Sequence, residues 1–237
     1  MSNNSMVVPL MAPVKDAWTA GSGFLARISG ELFLVTTAHI GDRELAPRAE
    51  WSLWPDSIYL ADTVEVDQED NLPKRIASFE LFTEDSDARR IPLFKYHLRQ
   101  DRPGRIADII LLPIPPDHPV AELYSDFDLP ANIGDHEVGA AVTMLGRKVS
   151  TFPSLVVTPG FTTMQAGPLR FMIPEGEEGD SGGPVTNGRG QLLGMNVGSH
   201  ENLPSQAMLM SPETIVAVAS AVEGVAEDWP EFKTETT

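Results

Sequence analysis

The stretch that decides the fold of this 237-residue chain is Gly179-Asp180-Ser181-Gly182-Gly183-Pro184. A serine hydroxyl is a weak nucleophile, so catalysis by Ser181 needs a neighbouring base and a site that stabilises a developing oxyanion. The flanking glycines suit the second need, because glycine adopts backbone angles that turn successive N–H groups toward one point. A glycine-rich turn around one serine can be a simple tight loop, but the full hexapeptide indicates a nucleophile.

Two segments earlier in the chain supply candidate partners for this serine. Residues 34–39 read Leu-Val-Thr-Thr-Ala-His, so His39 follows an apolar strand. Residues 107–112 read Ala-Asp-Ile-Ile-Leu-Leu, so Asp108 directly precedes an apolar run. Burying an acid beside such a run is costly unless the acid is hydrogen-bonded, and an imidazole N–H would supply that bond. The alternative is that Asp108 lies at the surface, at the end of a strand.

The three segments together resemble the active-site motifs of trypsin-like serine proteases, and cysteine-free bacterial members more than digestive ones. The resemblance covers residues 17–222, although only these three stretches are specific. It implies a catalytic triad of His39, Asp108 and Ser181. It also implies an oxyanion hole formed by the backbone N–H groups of Gly179 and Ser181. The implied activity is that of a serine endopeptidase that acts through an acyl-enzyme.

The same resemblance implies where a substrate would bind. The position that ends the specificity pocket in relatives falls at Glu175, and an acid there would favour lysine or arginine beside the scissile bond. Alternatively, the Glu175 carboxylate points into solvent. Residues Asn196, Val197 and Gly198 are expected to line the pocket and the edge that pairs with the substrate backbone.

Asp180 raises the question of regulation. In digestive relatives the corresponding aspartate binds a new N-terminal ammonium after activation cleavage, but this sequence contains no clear activation site of that kind. We therefore expect Asp180 to bond to another side chain or to a backbone group. Activity would then depend on the ordering of its loop or on a regulatory protein partner.

Turn residues between short apolar runs predict an all-β chain. The sequence contains 20 Pro and 19 Gly, and their spacing favours a sandwich or a barrel over βαβ units. Runs at residues 24–28 and 32–36, joined by Ser29 and Gly30, predict a hairpin. Together with the resemblance, the pattern predicts two six-stranded antiparallel β-barrels of the chymotrypsin-like fold, followed by a C-terminal α-helix.

The chain is expected to comprise an N-terminal arm, one peptidase domain and an acidic tail. Ser211 as a cap and Pro212 at the first position start the helix, and Gly224 would stop it. Residues 62–70 are acidic and are expected to form a loop. The predicted boundaries are 1–16 for the arm, 17–222 for the domain, 17–125 and 126–210 for its two halves, 212–223 for the helix and 224–237 for the tail.

Composition limits the classes of partner. The chain has 17 Lys and Arg against 34 Asp and Glu, a formal charge of −17, which repels nucleic-acid backbones and anionic membranes. A protein or peptide substrate is therefore the expected partner, with neither nucleic acid nor membrane. The absence of cysteine excludes disulfides and thiolate metal sites, and no His/acid spacing indicates a metal or cofactor. Because no secretory signal pattern opens the sequence, we expect a cytoplasmic location, with the cell envelope as the alternative.

Two other functions stay open on the sequence. A catalytically silent binding module on the same fold would usually lack a triad residue, and this chain has all three. An esterase of the α/β-hydrolase type would need Gly-x-Ser-x-Gly between a strand and a helix, with the histidine last in order. Here His39 comes first, and Pro184 with an apolar strand pattern follows Ser181.

Overall fold

The fold is taken from a computed structural model, which describes residues 6–14, 17–41, 47–68, 70–99, 101–200, 203–221 and 226–227. The strands of the N-terminal half are β1 (Val8–Val14), β2 (Ala17–Ile28), β3 (Glu31–Thr36), β4 (Ser57–Val66), β5 (Pro73–Glu80), β6 (Phe82–Glu84), β7 (Arg90–Pro92), β8 (Leu98–Arg99), β9 (Ile110–Pro113) and β10 (Asp126–Leu129). Those that follow are β11 (Ala141–Gly146), β12 (Val156–Ala166), β13 (Leu169–Ile173), β14 (Pro184–Asn187), β15 (Leu192–His200), β16 (Leu203–Met210) and β17 (Ala226–Glu227). The helices are α1 (Pro119–Leu123) and α2 (Pro212–Ser220).

The N-terminal half is built on a seven-stranded sheet. Its order is β5-β4-β1-β2-β3-β9, and β10 also pairs with β2. Strand β2 serves three neighbours because it is long: β1 pairs with residues 17–23, β10 with residues 25–28, and β3 lies along the other edge. The predicted hairpin between β2 and β3 is confirmed, and Ser29 and Gly30 both adopt positive φ angles at its turn.

An irregular segment fills the span between β5 and β9. The N–H of Leu93 donates to the carbonyl of Leu81 at 2.8 Å, and Lys95 and Leu111 exchange two main-chain hydrogen bonds. The N-terminal half therefore departs from the predicted regular six-stranded barrel. The segment bonds to Leu81, just after β5, and to Leu111 in β9, but it forms no continuous strand ladder between them.

The C-terminal half is a closed barrel of six strands in the order β11-β12-β13-β16-β15-β14. Its closure confirms the second predicted barrel, and helix α2 follows it. The fold class predicted from the sequence, an all-β chain of the chymotrypsin-like type with a C-terminal helix, is confirmed.

Apolar side chains form three clusters, one of which joins the two halves. The first fills the N-terminal sheet and the second fills the barrel. The third brings residues of both halves and of α2 into contact, and its members include Phe24, Phe33, Phe171, Met195 and Ile215. Because burial of apolar surface contributes roughly 25 cal/mol per Å², this shared layer holds the two halves in one arrangement.

Three boundary predictions need correction. The arm predicted over residues 1–16 is wrong for Val8–Val14, because these residues pair with β2 along their whole length as β1. The loop predicted over residues 62–70 is wrong at its start, since β4 continues to Val66. Helix α2 starts as predicted, with Ser211 Oγ accepting from the Thr214 N–H. It ends at Ser220 rather than 223, because Ala221 is extended. Gly224 and all of the predicted tail except 226–227 lie outside the described residues.

A group of packed aromatic rings supports the turn that carries His39. Trp54 is 3% exposed and packs against Trp51 and Phe94 with ring centroids 5.5 Å apart in both pairs. Gly41, two residues after His39, lies against this ring: a Cβ at Gly41 would be only 2.4 Å from Trp54 Cε3. The residue that follows the His39 turn therefore has no room for a side chain.

We expect Gly41→Ala to lower the free energy of unfolding by about 1–3 kcal/mol, because the added methyl must displace a packed ring. The matched control is Gly188→Ala, where a Cβ meets nothing within 4 Å, and its change should stay within about 0.5 kcal/mol. Urea unfolding of both variants measures the difference. Equal stabilities would contradict the packing described.

Candidate active site

His39 and Asp108 meet at the site, as the sequence predicts. His39 lies in a one-turn 3₁₀ helix, Ala38–Ile40, that directly follows β3 and Thr37. Asp108 lies two residues before β9, the strand that pairs with β3. Its Oδ2 is 2.7 Å from His39 Nδ1, and its Oδ1 accepts the His39 backbone N–H at 2.9 Å. One carboxylate thus fixes both the main chain and the ring of His39.

The environment of this pair changes the basicity of the imidazole. Burial lowers the pKa of His39, whereas the charge of Asp108 and its hydrogen bond to Nδ1 raise it. The two contributions from Asp108 outweigh burial, so the pKa of His39 lies above its usual 6.5. The stability that protonated His39 adds is complete below its unfolded pKa and is lost as pH rises through the folded pKa.

Ser181 and His39 line the same cleft, whose volume is about 270 Å³. The cleft runs along the seam between the halves. It is lined by Thr19, Ala20, Gly21, Thr37, His39, Ile40, Glu178, Gly179, Ser181, Val197 and Gly198. Among the described residues no hydrogen bond joins Ser181 Oγ to His39, a bond that substrate-free active sites often leave open until a substrate binds. Ser181, the third predicted member of the triad, therefore lines the same cleft as His39 without a hydrogen bond to it among the described residues.

Two residues of the loop at 177–183, hereafter the nucleophile loop, line this cleft and carry backbone N–H groups, namely Gly179 and Ser181. The carbonyl of Glu178 accepts from the Val149 N–H at 2.8 Å, and the carbonyl of Asp180 accepts from the Gly183 N–H at 2.9 Å. A trans peptide is planar, with C=O and N–H on opposite sides. The N–H groups of Gly179 and Ser181, which follow these carbonyls, therefore point away from Val149 and Gly183. Within the described part of the chain neither N–H donates to a protein acceptor.

Asp180 is held by its own loop. The side chain is 1% exposed, and its Oδ2 accepts the Glu177 backbone N–H at 2.9 Å, which agrees with the expectation of a backbone partner. Burial raises the pKa of this carboxyl despite that bond. Beside it, Lys148 Nζ donates to a carboxylate oxygen of Glu177. The loop thus has internal support for its conformation in this structure.

The predicted substrate-binding residues divide into two groups. Val197 and Gly198 line the cleft, and Asn196 lies buried behind them, with Oδ1 accepting from the Gly198 N–H at 3.1 Å. Glu175 is exposed and is not among the lining residues, so the structure does not bring it to the pocket. The acid that lines the cleft is Glu178, three residues later.

Comparison with known proteins gives structures but no sequence relatives: no family model and no curated protein matches this chain. Among solved structures, the Rv3671c protease of M. tuberculosis in its active form is 18% identical, with a TM-score of 0.56 over 95% of this chain and 85% of that chain. The serine endoprotease of Yersinia pestis is 16% identical, with a TM-score of 0.53 over 91% and 62%. The MamO protease domain of Magnetospirillum magneticum is 17% identical, with a TM-score of 0.51 over 90% and 95%.

The chain has the chymotrypsin-like fold. Identities below one fifth show the fold alone, and the matched structures are described as serine proteases. In this fold the cleft lies between the two halves, which is why His39 and Ser181 reach it from different halves.

The wall of the cleft on the N-terminal side was not predicted from the sequence. Thr19 and Ala20 belong to β2, and Ile40 belongs to the turn that carries His39. Small residues before Gly21 give no local signal for a cleft, because their position depends on the pairing of β2 with β1. A hint was present in the glycines at 21 and 23, which allow close approach of neighbouring chains.

In the part of the chain that the structure describes, no group of three or more His, Asp or Glu side chains is arranged to hold a metal ion. No helix there is long and apolar enough to cross a membrane.

The His39–Asp108 pair can be tested without measuring activity. Asp108→Asn removes the negative charge, so burial should dominate and the pKa of His39 should fall below its wild-type value. Histidine NMR titration of both proteins measures the change. The control is Asp126→Asn, whose carboxylate pairs with Arg27 at the surface and should leave His39 unchanged. An unaltered His39 titration in Asp108→Asn would contradict the assigned coupling.

Proposed function

We propose that this chain is a serine endopeptidase, with Ser181 as nucleophile, His39 as base and Asp108 as the residue that orients His39. The observation that carries the proposal is the cleft shared by His39 and Ser181, with the Asp108 carboxylate bonded behind the imidazole. The backbone N–H groups of Gly179 and Ser181 support it, because they have no protein acceptor among the described residues and suit a developing oxyanion. A protein or peptide is the proposed substrate.

The proposed reaction uses these groups in sequence. Ser181 Oγ attacks the scissile carbonyl carbon while His39 Nε2 accepts the hydroxyl proton. The carbonyl oxygen becomes negatively charged and is stabilised by the two N–H groups. The C–N bond then breaks, and His39 returns the proton to the departing amine, which leaves an acyl-enzyme. Water attacks the ester with His39 again as base, and release of the acid restores the Ser181 hydroxyl.

The contributions can be ranked by size. General base catalysis of this kind contributes typically 10²- to 10⁴-fold. Each oxyanion donor contributes about 10²- to 10³-fold. The hydrogen bond from His39 Nδ1 to Asp108 fixes the tautomer with Nε2 free to accept a proton, a role whose loss lowers kcat about 10⁴-fold in enzymes with such a triad.

We further propose that order in the nucleophile loop controls activity. Asp180 reaches its backbone partner at Glu177 within this loop, so a new ammonium terminus is not needed to occupy its carboxylate. The Glu177–Lys148 ion pair beside it, whose Glu177 side chain is 62% exposed, contributes little stability, since pairs open to solvent are worth about 0–1 kcal/mol. A regulatory protein partner that binds this face could therefore displace this ion pair at little cost in free energy.

Ser181→Ala should abolish proteolysis without unfolding the protein, because the Ser181 hydroxyl makes no hydrogen bond among the described residues. Cleavage of denatured casein should fall by about 10⁴- to 10⁶-fold. Mass spectrometry should show one fluorophosphonate adduct on the wild type and none on Ser181→Ala. The control is Ser220→Ala, whose hydroxyl donates to the Val216 carbonyl at the surface.

Two outcomes would go against the endopeptidase. Ser181→Ala that cleaves casein as fast as the wild type would remove Ser181 from the mechanism. A folded wild type that neither cleaves casein nor takes up the probe would favour the alternative, a catalytically silent binding module on the same fold.

The acid at the cleft predicts a preference for basic substrates. Glu178 lines the cleft and is exposed, so the attraction of its carboxylate for a lysine or arginine near the scissile bond is worth about 0.2–1 kcal/mol. We expect Glu178→Gln to lower the ratio of kcat/KM for basic peptides to kcat/KM for neutral peptides by about 1.5- to 5-fold. The effect should weaken at high salt. Glu175→Gln is the matched control and should have no effect. A loss of preference in Glu175→Gln alone would assign the pocket acid to Glu175, as the sequence predicts, and not to Glu178.

A further inference from the structure

Ser22 makes four hydrogen bonds at the seam between the two halves. It lies in β2 and is fully buried. Its Oγ donates to the Gly179 carbonyl and accepts from the Arg147 N–H, both at 2.8 Å. Its N–H donates to the Ser181 carbonyl at 2.9 Å, and its own carbonyl accepts from Thr36 Oγ1 at 2.7 Å. One residue of the N-terminal half therefore holds the carbonyls on both sides of Asp180.

The hydroxyl of Ser22 bonds to a glycine of the nucleophile loop, Gly179. Gly179 has a φ of +96°, a conformation that glycine enters and leaves at little cost. The peptide before it is held by the Val149 N–H on the Glu178 carbonyl, and the peptide after it is held by Ser22 Oγ. The Gly179 N–H lies in the first of these peptides, and Ser22 Oγ restrains the second, so the backbone is held on both sides of Gly179.

The space around Gly179 excludes any residue with a side chain, so a stiffer residue cannot take over the role of the Ser22 hydroxyl. A Cβ at Gly179 would lie 2.4 Å from the Arg147 carbonyl oxygen and 2.7 Å from the Val149 nitrogen, so only glycine fits. Because no residue with a side chain can replace Gly179, the orientation of its peptide groups depends on hydrogen bonds to them. The same Ser22 Oγ accepts the Arg147 N–H, so it also holds the segment against which Gly179 packs.

We propose that Ser22 is a positioning residue for the oxyanion site, which holds the Gly179 N–H toward the cleft through the Gly179 carbonyl. The proposal rests on the proposed endopeptidase function. Ser22 does not touch the substrate, so its removal should weaken stabilisation of the transition state and leave ground-state binding largely unchanged.

The test compares Ser22→Ala with a matched variant remote from the cleft, Thr162→Val. Thr162 is 2% exposed, and its hydroxyl also joins a backbone N–H, that of Ala140, to a backbone carbonyl, that of Glu137. Each variant thus loses one buried hydroxyl of the same bonding pattern. Both should unfold at a lower temperature than the wild type, and kinetics are measured well below both transitions.

Ser22→Ala should lower kcat by about 10- to 100-fold, less than complete loss of an oxyanion donor, with KM within twofold. It should weaken a peptide aldehyde inhibitor by a similar factor, because the aldehyde adduct places its oxygen in the oxyanion site. Thr162→Val should leave kcat and aldehyde affinity unchanged. Ser22→Cys, of similar size with a weaker donor, should give an intermediate kcat and serves if Ser22→Ala does not fold.

A crystal structure of Ser22→Ala provides a readout independent of turnover, in which the peptide on one side of Gly179 should have rotated. Unchanged kcat, aldehyde affinity and loop conformation in Ser22→Ala would overturn the inference, as would an equal loss of kcat in Thr162→Val. An inactive wild type would instead contradict the endopeptidase, and the loop conformation in Ser22→Ala would still decide the role of Ser22.

Discussion

The hydrogen bond from the Ser22 N–H to the Ser181 carbonyl joins the two halves of the chain beside the cleft that both halves line. His39 and Asp108 are carried by neighbouring strands of the N-terminal sheet, whereas Ser181 precedes the first residue pairs of β14 in the barrel. Neither half contains a complete site. An apolar layer packs between the halves, and the main-chain bond at Ser22 crosses the same seam.

The cleft also shows how an acidic chain accommodates buried carboxylates. Asp108 is repaid for burial by two hydrogen bonds from His39, one from the ring and one from the main chain. Asp180 accepts one backbone N–H, and burial keeps its pKa above the usual range. The protonated form of Asp180 is therefore favoured by folding. Its contribution to stability is complete below the unfolded pKa and is lost as pH rises through the folded pKa. Asp108 thus accepts two hydrogen bonds from one residue, whereas Asp180 accepts a single one from its own loop.

Local sequence patterns predicted the parts of the site that depend on short-range chemistry. The glycine-flanked Ser181, the strand end at His39 and the acid before β9 were each recognisable from neighbours in sequence. Strand β1 was missed because Pro9 and Pro13 argue against a strand. Proline has no N–H to donate to a neighbouring strand. Pro9 and Pro13 fit in β1 because β4 pairs with β1 at residues 10 and 11, so the edge of each proline that faces β4 needs no hydrogen bond. Positions set by loop geometry, such as that of Glu175, have no local signal.

The central claim is that a hydroxyl, an imidazole and two backbone N–H groups converge on one substrate carbonyl. A crystal structure of the wild type after reaction with a peptidyl phosphonate tests it most directly. The account predicts a bond from Ser181 Oγ to phosphorus, with the phosphonyl oxygen about 3 Å from the N–H groups of Gly179 and Ser181 and His39 beside the adduct. An unmodified Ser181, or an adduct whose oxygen points away from both N–H groups, would contradict it.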